Sequence, residues 1–552
     1  MAGPVVETSL GRVRGVDGDG CVSFLGIPYA LAPADPEFAR FGPPVRPTRW
    51  SGVRDATDFG PIAPQLPGGP GSYLPGDNFA QAEEARTLNI WTPRCDEGRR
   101  PVMVFIHGGG FLSGSGASSL YRGERLARRG VVVVTFNYRL GVLGFLAHPA
   151  LAHPAAPGVG NYGLLDQIAA LSFVRDNAAA FGGDPQSVTV FGESAGAMSI
   201  CDLLGAPAAR GLFRRAVVES GMAFAHALDP ARTLAEDFAR HLGLRALSRR
   251  AISAVPAEDL LAAQSELTGR VDEGVGMPFA PVVDGTLFPE HPATLVATGA
   301  GSPRTDVLAG TNRDEFTLFS FLSPLARDLD MDGLSALVGR YVANAGLPNP
   351  PAAAAVVETY RSTRHAVGET TDPKSLLDAF GTDWVFRVPL LRFLEAHGRR
   401  GARTYCYRFD WPSPFANGAL GACHGLELPF VFGTVADPLV ALFAGGGQEA
   451  LRLSEAMQAA WVSFAATGDP SHPLLGPWPQ YGPAERRTLV FGPEPAVVAA
   501  PGEHERAFLD AHLGQYGVGG PAEGAVARTV AFLGPPEFED GPARREHGAT
   551  GE

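Results

Sequence analysis

The chain has 552 residues, 45% of them hydrophobic and 19% charged, and a formal net charge of −13. That balance belongs to a soluble, well-packed globular protein rather than a disordered chain, and its acidity leaves no basic footprint for nucleic acid. Lys374 is the single lysine among 45 basic residues and stands in the turn-like Thr371-Asp372-Pro373-Lys374 with no glycine-rich loop before it, which argues against a phosphate-binding lysine loop and against pyridoxal chemistry.

In chain order, Met1–Thr8 has neither a basic stretch nor an apolar run, so no signal peptide is expected. Residues 1–60 hold short apolar runs split by Gly and Pro, such as Val22–Ala30, and predict a small antiparallel β segment. Residues 61–81 are rich in Pro and Gly and predict a surface loop. Four short apolar runs follow, Val102–Ile106, Val131–Phe136, Val188–Phe191 and Ala216–Val218, each bounded by turn residues as in strands covered on both faces. Leu164–Phe181 has helical spacing and stops at Gly182-Gly183. Strands alternating with helices predict a doubly wound, mostly parallel sheet of the α/β class. Residues 223–300 and 325–400 read as helical insertions, with a strand at Asp306–Ala309 between them. Thr404–Trp411 reads as a late strand and Arg452–Thr467 as a helix. Residues 1–516 are therefore expected to form a single domain, and 517–552, made of Gly, Pro, Ala and charge with an apolar island at Val530–Leu533, a disordered tail. No apolar run has membrane-spanning length; Val131–Ala147 is broken by Asn137, Tyr138 and Arg139. The five cysteines form no CxxC pair, so neither a disulfide framework nor a zinc site is expected. A cytoplasmic protein is the expectation.

Gly192-Glu193-Ser194-Ala195-Gly196 directly follows the strand Val188–Phe191 and precedes a helix-capable run, Ala197–Leu204. A strand, a sharp glycine-flanked turn and a helix are what a serine nucleophile needs to project its hydroxyl from the carboxyl end of a sheet. His107-Gly108-Gly109-Gly110-Phe111 follows Val102–Ile106. Consecutive glycines leave backbone N–H groups open to a substrate oxygen, and Gly109, Gly110 and Ala195 are the expected oxyanion donors. Chain order in such enzymes is serine, acid, histidine. His424 stands out among the histidines after Ser194: it follows the predicted strand Thr404–Trp411 and a loop of small residues, Ala416–Cys423. Most of the others fall on helices or near the polar tail, where a solvated side chain is the simpler reading. The acid is Glu315 or its neighbour Asp314, between which spacing does not choose.

These residues make the chain similar to the type-B carboxylesterases, which include para-nitrobenzyl esterases and cholinesterases. The resemblance runs from about Gly11 to Pro495. It rests on Phe24–Ala30, Leu88-Asn89-Ile90-Trp91, His107–Phe111, Asn161–Gln167, Phe181-Gly182-Gly183-Asp184-Pro185, Phe191–Gly196, Arg313-Asp314-Glu315 and His424-Gly425-Leu426-Glu427-Leu428-Pro429-Phe430. It implies an α/β-hydrolase fold and a carboxylic ester hydrolase acting on a small-molecule ester without metal or cofactor. It implies Ser194 as nucleophile, His424 as base and Glu315 as acid. It also implies that Glu193 is a buried carboxylate beside the nucleophile and that Ser220 supports the acid. Phe111 and Met222 are candidate pocket residues. Glu83-Glu84-Ala85-Arg86-Thr87 replaces the family's acidic-Cys-Leu-Tyr segment, so the disulfide cysteine of secreted relatives is missing, which agrees with a reducing compartment. No choline-site aromatic is identifiable, so cholinesterase activity is not expected. The same triad could serve an acyltransferase or cyclase, and the fold also occurs in non-catalytic binding proteins, which typically lack a triad member.

Overall fold

The apolar runs assemble into an eleven-stranded sheet. In chain order its strands are β1 (Val16–Gly18), β2 (Cys21–Pro28), β3 (Thr87–Thr92), β4 (Arg100–Ile106), β5 (Val132–Phe136), β6 (Gly183–Glu193), β7 (Arg215–Glu219), β8 (Asp306–Asn312), β9 (Thr404–Phe409), β10 (Arg487–Phe491) and β11 (Ala496–Ala499). Their spatial order is β1-β2-β3-β5-β4-β6-β7-β8-β9-β10-β11. The computed structural model describes residues 3–513 apart from Asp19, 68–76, 155–157, 270–276, 346 and 348. The expected tail, 517–552, and part of the expected loop 61–81 lie outside the described residues.

From β5 to β10 every neighbouring pair is parallel, and antiparallel pairs finish both edges. Successive side chains of a strand point to opposite faces, and the burial follows. Val102, Val104, Ile106, Val190, Val218 and Val307 join one apolar core, while Met103, Phe105, Phe191, Val217 and Leu308 join the other. The chain crosses to β5 on one side of β4 and then to β6 on the other. The carboxyl ends of β4 and β6 thus flank the reversal of strand order, where open α/β sheets form a crevice. His107 follows β4 and Ser194 follows β6.

Several expectations need correction. The N-terminal segment is not purely antiparallel: Val5–Thr8 pairs antiparallel with Gly11–Arg14, but Gly11–Arg14 pairs parallel with Val53–Asp55. The intervening residues supply the long connection that a parallel pair requires. The helix expected at Leu164–Phe181 is α-helical over Tyr162–Asn177 and tightens into a 3₁₀ turn over Ala178–Phe181 before left-handed Gly182. Among its described residues the 223–300 stretch holds four helices but also a short parallel pair, His226–Ala227 with Val282–Val283. In the 325–400 stretch, Pro373–Gly381 runs through a π-helical turn, Thr382–Arg387, into Val388–Gly398. His397 is buried rather than solvated, its Nε2 2.7 Å from the Thr305 carbonyl oxygen.

Candidate active site

Strand β6 ends at Glu193 and a helix starts at Ala195, leaving Ser194 at the turn with φ 56° and ψ −125°. A non-glycine residue held there stores strain of about 1–3 kcal/mol, which persists only where the surroundings over-determine it. Here the Ser194 N–H donates to the Glu219 carbonyl at the end of β7, 2.9 Å away. On the far side of the turn, a Cβ at Gly196 would sit 1.9 Å from the Ile106 carbonyl oxygen. The helix and β4 therefore meet backbone to backbone, and the serine has one position available.

The glycine loop after β4 lies against this elbow: a Cβ at Gly108 would be 3.0 Å from the Ser194 Cβ and 2.8 Å from Glu193 Oε2. The Gly109 carbonyl accepts from the Leu112 and Ser113 N–H groups at 3.0 and 3.1 Å. Among the described residues no backbone hydrogen bond engages the Gly109 or Gly110 N–H. The loop is thus pinned by its carbonyl while those donors stay free. His107 turns away, stacked on Tyr138 with its Nδ1 2.9 Å from the Gly108 carbonyl oxygen. Burial pushes its pKa down to about 4, so it is neutral at ordinary pH.

Asp314 and Glu315 follow β8, and the structure separates them. Asp314 pairs with Arg313 and accepts from the Ala422 N–H at 2.8 Å, bracing the loop before His424. Glu315 is wholly buried: Oε2 accepts from His424 Nδ1 at 2.6 Å, and Oε1 accepts from the Ser220 hydroxyl at 2.5 Å and the Asn312 N–H at 2.7 Å. On the other side of the imidazole, Nε2 is 2.9 Å from Glu193 Oε1 but poorly aligned, and finds no well-directed hydrogen-bond partner. Burial alone would pull the His424 pKa down; the carboxylates of Glu193 and then Glu315 outweigh it and hold the pKa well above the usual value. His424, Glu315 and the elbow residue Glu193 are thus brought together, with Ser194 next in the chain.

Several contributing residues carry no obvious sequence signal. Asn312 Nδ2 donates to the Cys423 carbonyl (2.6 Å) and to Glu427 Oε2 (2.5 Å), tying the histidine loop to β8. Burial, then the Glu193 and Glu315 carboxylates, push Glu427 up to about 8. Glu219, also buried, accepts from Trp461 Nε1 at 2.7 Å. Phe319 and Phe386 flank His424 with ring centroids 5.2 and 4.8 Å away. Phe319 was accessible to sequence reasoning, being one helical turn after Glu315; Phe386 was not. Of the candidate pocket residues, Met222 is buried just after Ser220, and Phe111 is buried edge-on against Phe145 at 5.1 Å. A cavity of about 190 Å³ beside Arg40, Arg86 and Arg139 is lined by none of these site residues.

The carboxylesterase family profile matches residues 2–509. The chain belongs to the carboxylesterase family. It is 38% identical over 515 residues to a para-nitrobenzyl esterase of Bacillus subtilis (strain 168), covering 92% of this chain and 99% of that protein. It is 37% identical over 506 residues to the fumonisin B1 esterase of Sphingopyxis macrogoltabida, covering 88% and 86%. Among solved structures it resembles a carboxylesterase of Geobacillus stearothermophilus at TM-score 0.79 and 39% identity, covering 91% of this chain and 99% of that one. The fold is the α/β-hydrolase fold, and this carboxylesterase is a carboxylic ester hydrolase acting on small-molecule esters. Among the described residues no helix is long and apolar enough to cross a membrane.

Proposed function

We propose that this carboxylesterase hydrolyses small to medium apolar aryl and alkyl esters through an acyl-enzyme on Ser194. The carrying observation is a buried imidazole fixed by Glu315 through Nδ1, with Nε2 2.9 Å from the carboxylate of Glu193, the residue directly before Ser194. Ser194 attacks the ester carbonyl while His424 takes its proton; the N–H groups of Gly109, Gly110 and Ala195 receive the oxyanion. His424 returns the proton to the leaving alcohol, and water repeats the sequence on the acyl-enzyme. Glu315 orients the imidazole and stabilises its cationic form, while Ser220 holds Glu315. The apolar preference is supported by the buried Phe319 and Met222 near the site and by the para-nitrobenzyl ester named for one relative. We read residues 1–516 as one catalytic domain. The cysteines are all free and mostly buried, which favours the cytoplasm as its compartment.

The test is hydrolysis of para-nitrophenyl acetate, butyrate and octanoate with and without a fluorophosphonate probe, beside the Ser194→Ala variant. Labelling of Ser194 with loss of turnover, and a folded but inactive Ser194→Ala protein, are the expected results. A pure, folded Ser194→Ala protein that still turns over ester would overturn the assignment.

A further inference from the structure

The wall behind His424 is built on an irregular piece of helix. Thr382–Arg387 is a π-helical turn inside an otherwise continuous α-helical run from Pro373 to Gly398. Pro389 supplies a cause: its ring crowds the carbonyl of the residue four before it, here Val385, and cannot donate to it. Such bulges inside helices gather at functional sites. This one touches both halves of the acid–base pair. Phe386 packs on the His424 ring, with centroids 4.8 Å apart, and also stacks with Phe319 at 5.9 Å and 11°. Four residues earlier, the Thr382 hydroxyl accepts from the Phe316 N–H at 3.1 Å, one residue beyond Glu315.

The turn is in turn clamped from the far end of the sequence. The Arg387 side chain, buried, donates Nε and Nη2 to Asp383 at 2.5 and 2.8 Å, closing the turn on itself. Asp383 also accepts from the Tyr360 hydroxyl at 2.9 Å. The remaining guanidinium donors reach the carbonyls of Pro501 (Nη1, 2.6 Å) and Gly502 (Nη2, 3.1 Å), just before the helix Glu503–Leu513. Gly502 has φ 66°, and a Cβ there would lie 2.2 Å from Arg387 Nη1, so the approach depends on that glycine.

We propose that Arg387 is a positioning residue for the hydrolytic reaction: by clamping the π-turn onto Pro501 and Gly502 it holds Phe386 against His424 and Thr382 beneath the Glu315 segment. This rests on the reading of Ser194, His424 and Glu315 as the triad. A loosened clamp lets the imidazole wall recede, so more of the acid–base pair's population sits out of line; the substrate's own contacts are untouched. The loss therefore falls on kcat, with KM little changed.

The experiment measures kcat and KM for para-nitrophenyl butyrate, normalised to sites titrated with fluorophosphonate, in Arg387→Met, Arg387→Lys, Gly502→Ala, Phe386→Leu and Arg392→Met. Arg392 binds Asp510 at 2.8 Å and ties the same C-terminal helix to the same long helix. Expected is a loss of about tenfold in kcat per titrated site for Arg387→Met, Gly502→Ala and Phe386→Leu, with KM within about twofold, a smaller loss for Arg387→Lys, and wild-type kcat for Arg392→Met. Removing Arg387 leaves Asp383 buried with less compensation and could unfold the chain; Gly502→Ala and Phe386→Leu then decide, since both keep the ion pair. Unchanged kcat per titrated site in those two, or an equal loss in Arg392→Met, overturns the proposal. Failure of the triad reading shows separately, as turnover retained by Ser194→Ala.

Discussion

Replacing Ser220 by alanine removes one hydroxyl and little else. Its hydroxyl donates to Glu315 Oε1 at 2.5 Å in a site where both residues are fully buried. A hydrogen bond to a charged group contributes about 1.5–3 kcal/mol, and each 1.36 kcal/mol of activation free energy is about tenfold in rate. Glu315 keeps the Asn312 N–H at 2.7 Å and His424 at 2.6 Å, so on the proposed triad the acid would be loosened rather than lost. We expect kcat per titrated site to fall about 10- to 100-fold, short of the roughly 10⁴-fold typical when the acid of such a triad is neutralised. Ser220 has φ 57°, a conformation alanine tolerates no better than serine but glycine adopts freely. Ser220→Gly is therefore expected to match the rate loss of Ser220→Ala while unfolding at higher denaturant concentration. The assay is para-nitrophenyl butyrate hydrolysis on fluorophosphonate-titrated protein. A Ser220→Ala enzyme within twofold of wild type would refute the argument that this hydroxyl holds the acid.

The two neighbouring acids are expected to separate cleanly: Glu315→Gln loses about 10⁴-fold in kcat, whereas Asp314→Asn, whose carboxylate faces Arg313 and the Ala422 N–H, retains most of its turnover; comparable losses in both would sink the assignment. Glu193→Gln removes the larger of the two charges that raise the His424 pKa against burial. Because the base must be neutral to accept a proton, the acid limb of the kcat/KM profile is expected to move to lower pH in this variant. A limb that stays put or moves up contradicts it. Gly196→Ala sets a methyl 1.9 Å from the Ile106 carbonyl; overpacking of this kind costs about 1–3 kcal/mol or more, so the denaturation midpoint should drop together with activity. A stable, fully active Gly196→Ala protein would show that the helix does not press on β4.

The parts of the site that were legible in the sequence are those governed by local backbone demands. Ser194 and the Gly108–Gly110 run were readable because a strand, a turn and a helix must follow one another within a few residues there. The strands β4 to β8 were readable because strands covered on both faces are nearly all apolar; β10 and β11 were not, since β11 is an exposed edge pairing antiparallel with β10. The choice between Glu315 and Asp314 was not open to spacing alone, because it depends on which carboxylate the turn after β8 points inward. Phe386 and Arg387 were beyond reach for another reason: they act through contacts more than 35 and 110 residues away, and a π-helical turn leaves no periodicity of its own. Glu427 lay in view three residues after His424, yet its tie to Asn312 is a tertiary fact.

The placement of Glu193 and Glu315 on either side of one imidazole has a consequence for the end of the catalytic cycle. Hydrolysis turns a neutral ester into an acid that ionises beside this group, whose two carboxylates leave it net negative even when the imidazole between them is protonated. Repulsion in a site shielded from water is far stronger than in bulk solvent. The anionic product is thereby driven out, while the uncharged alcohol leaves with no such push. Accumulated free acid should hardly slow the enzyme, and the return reaction from acid and alcohol is disfavoured at its first step, the binding of the carboxylate.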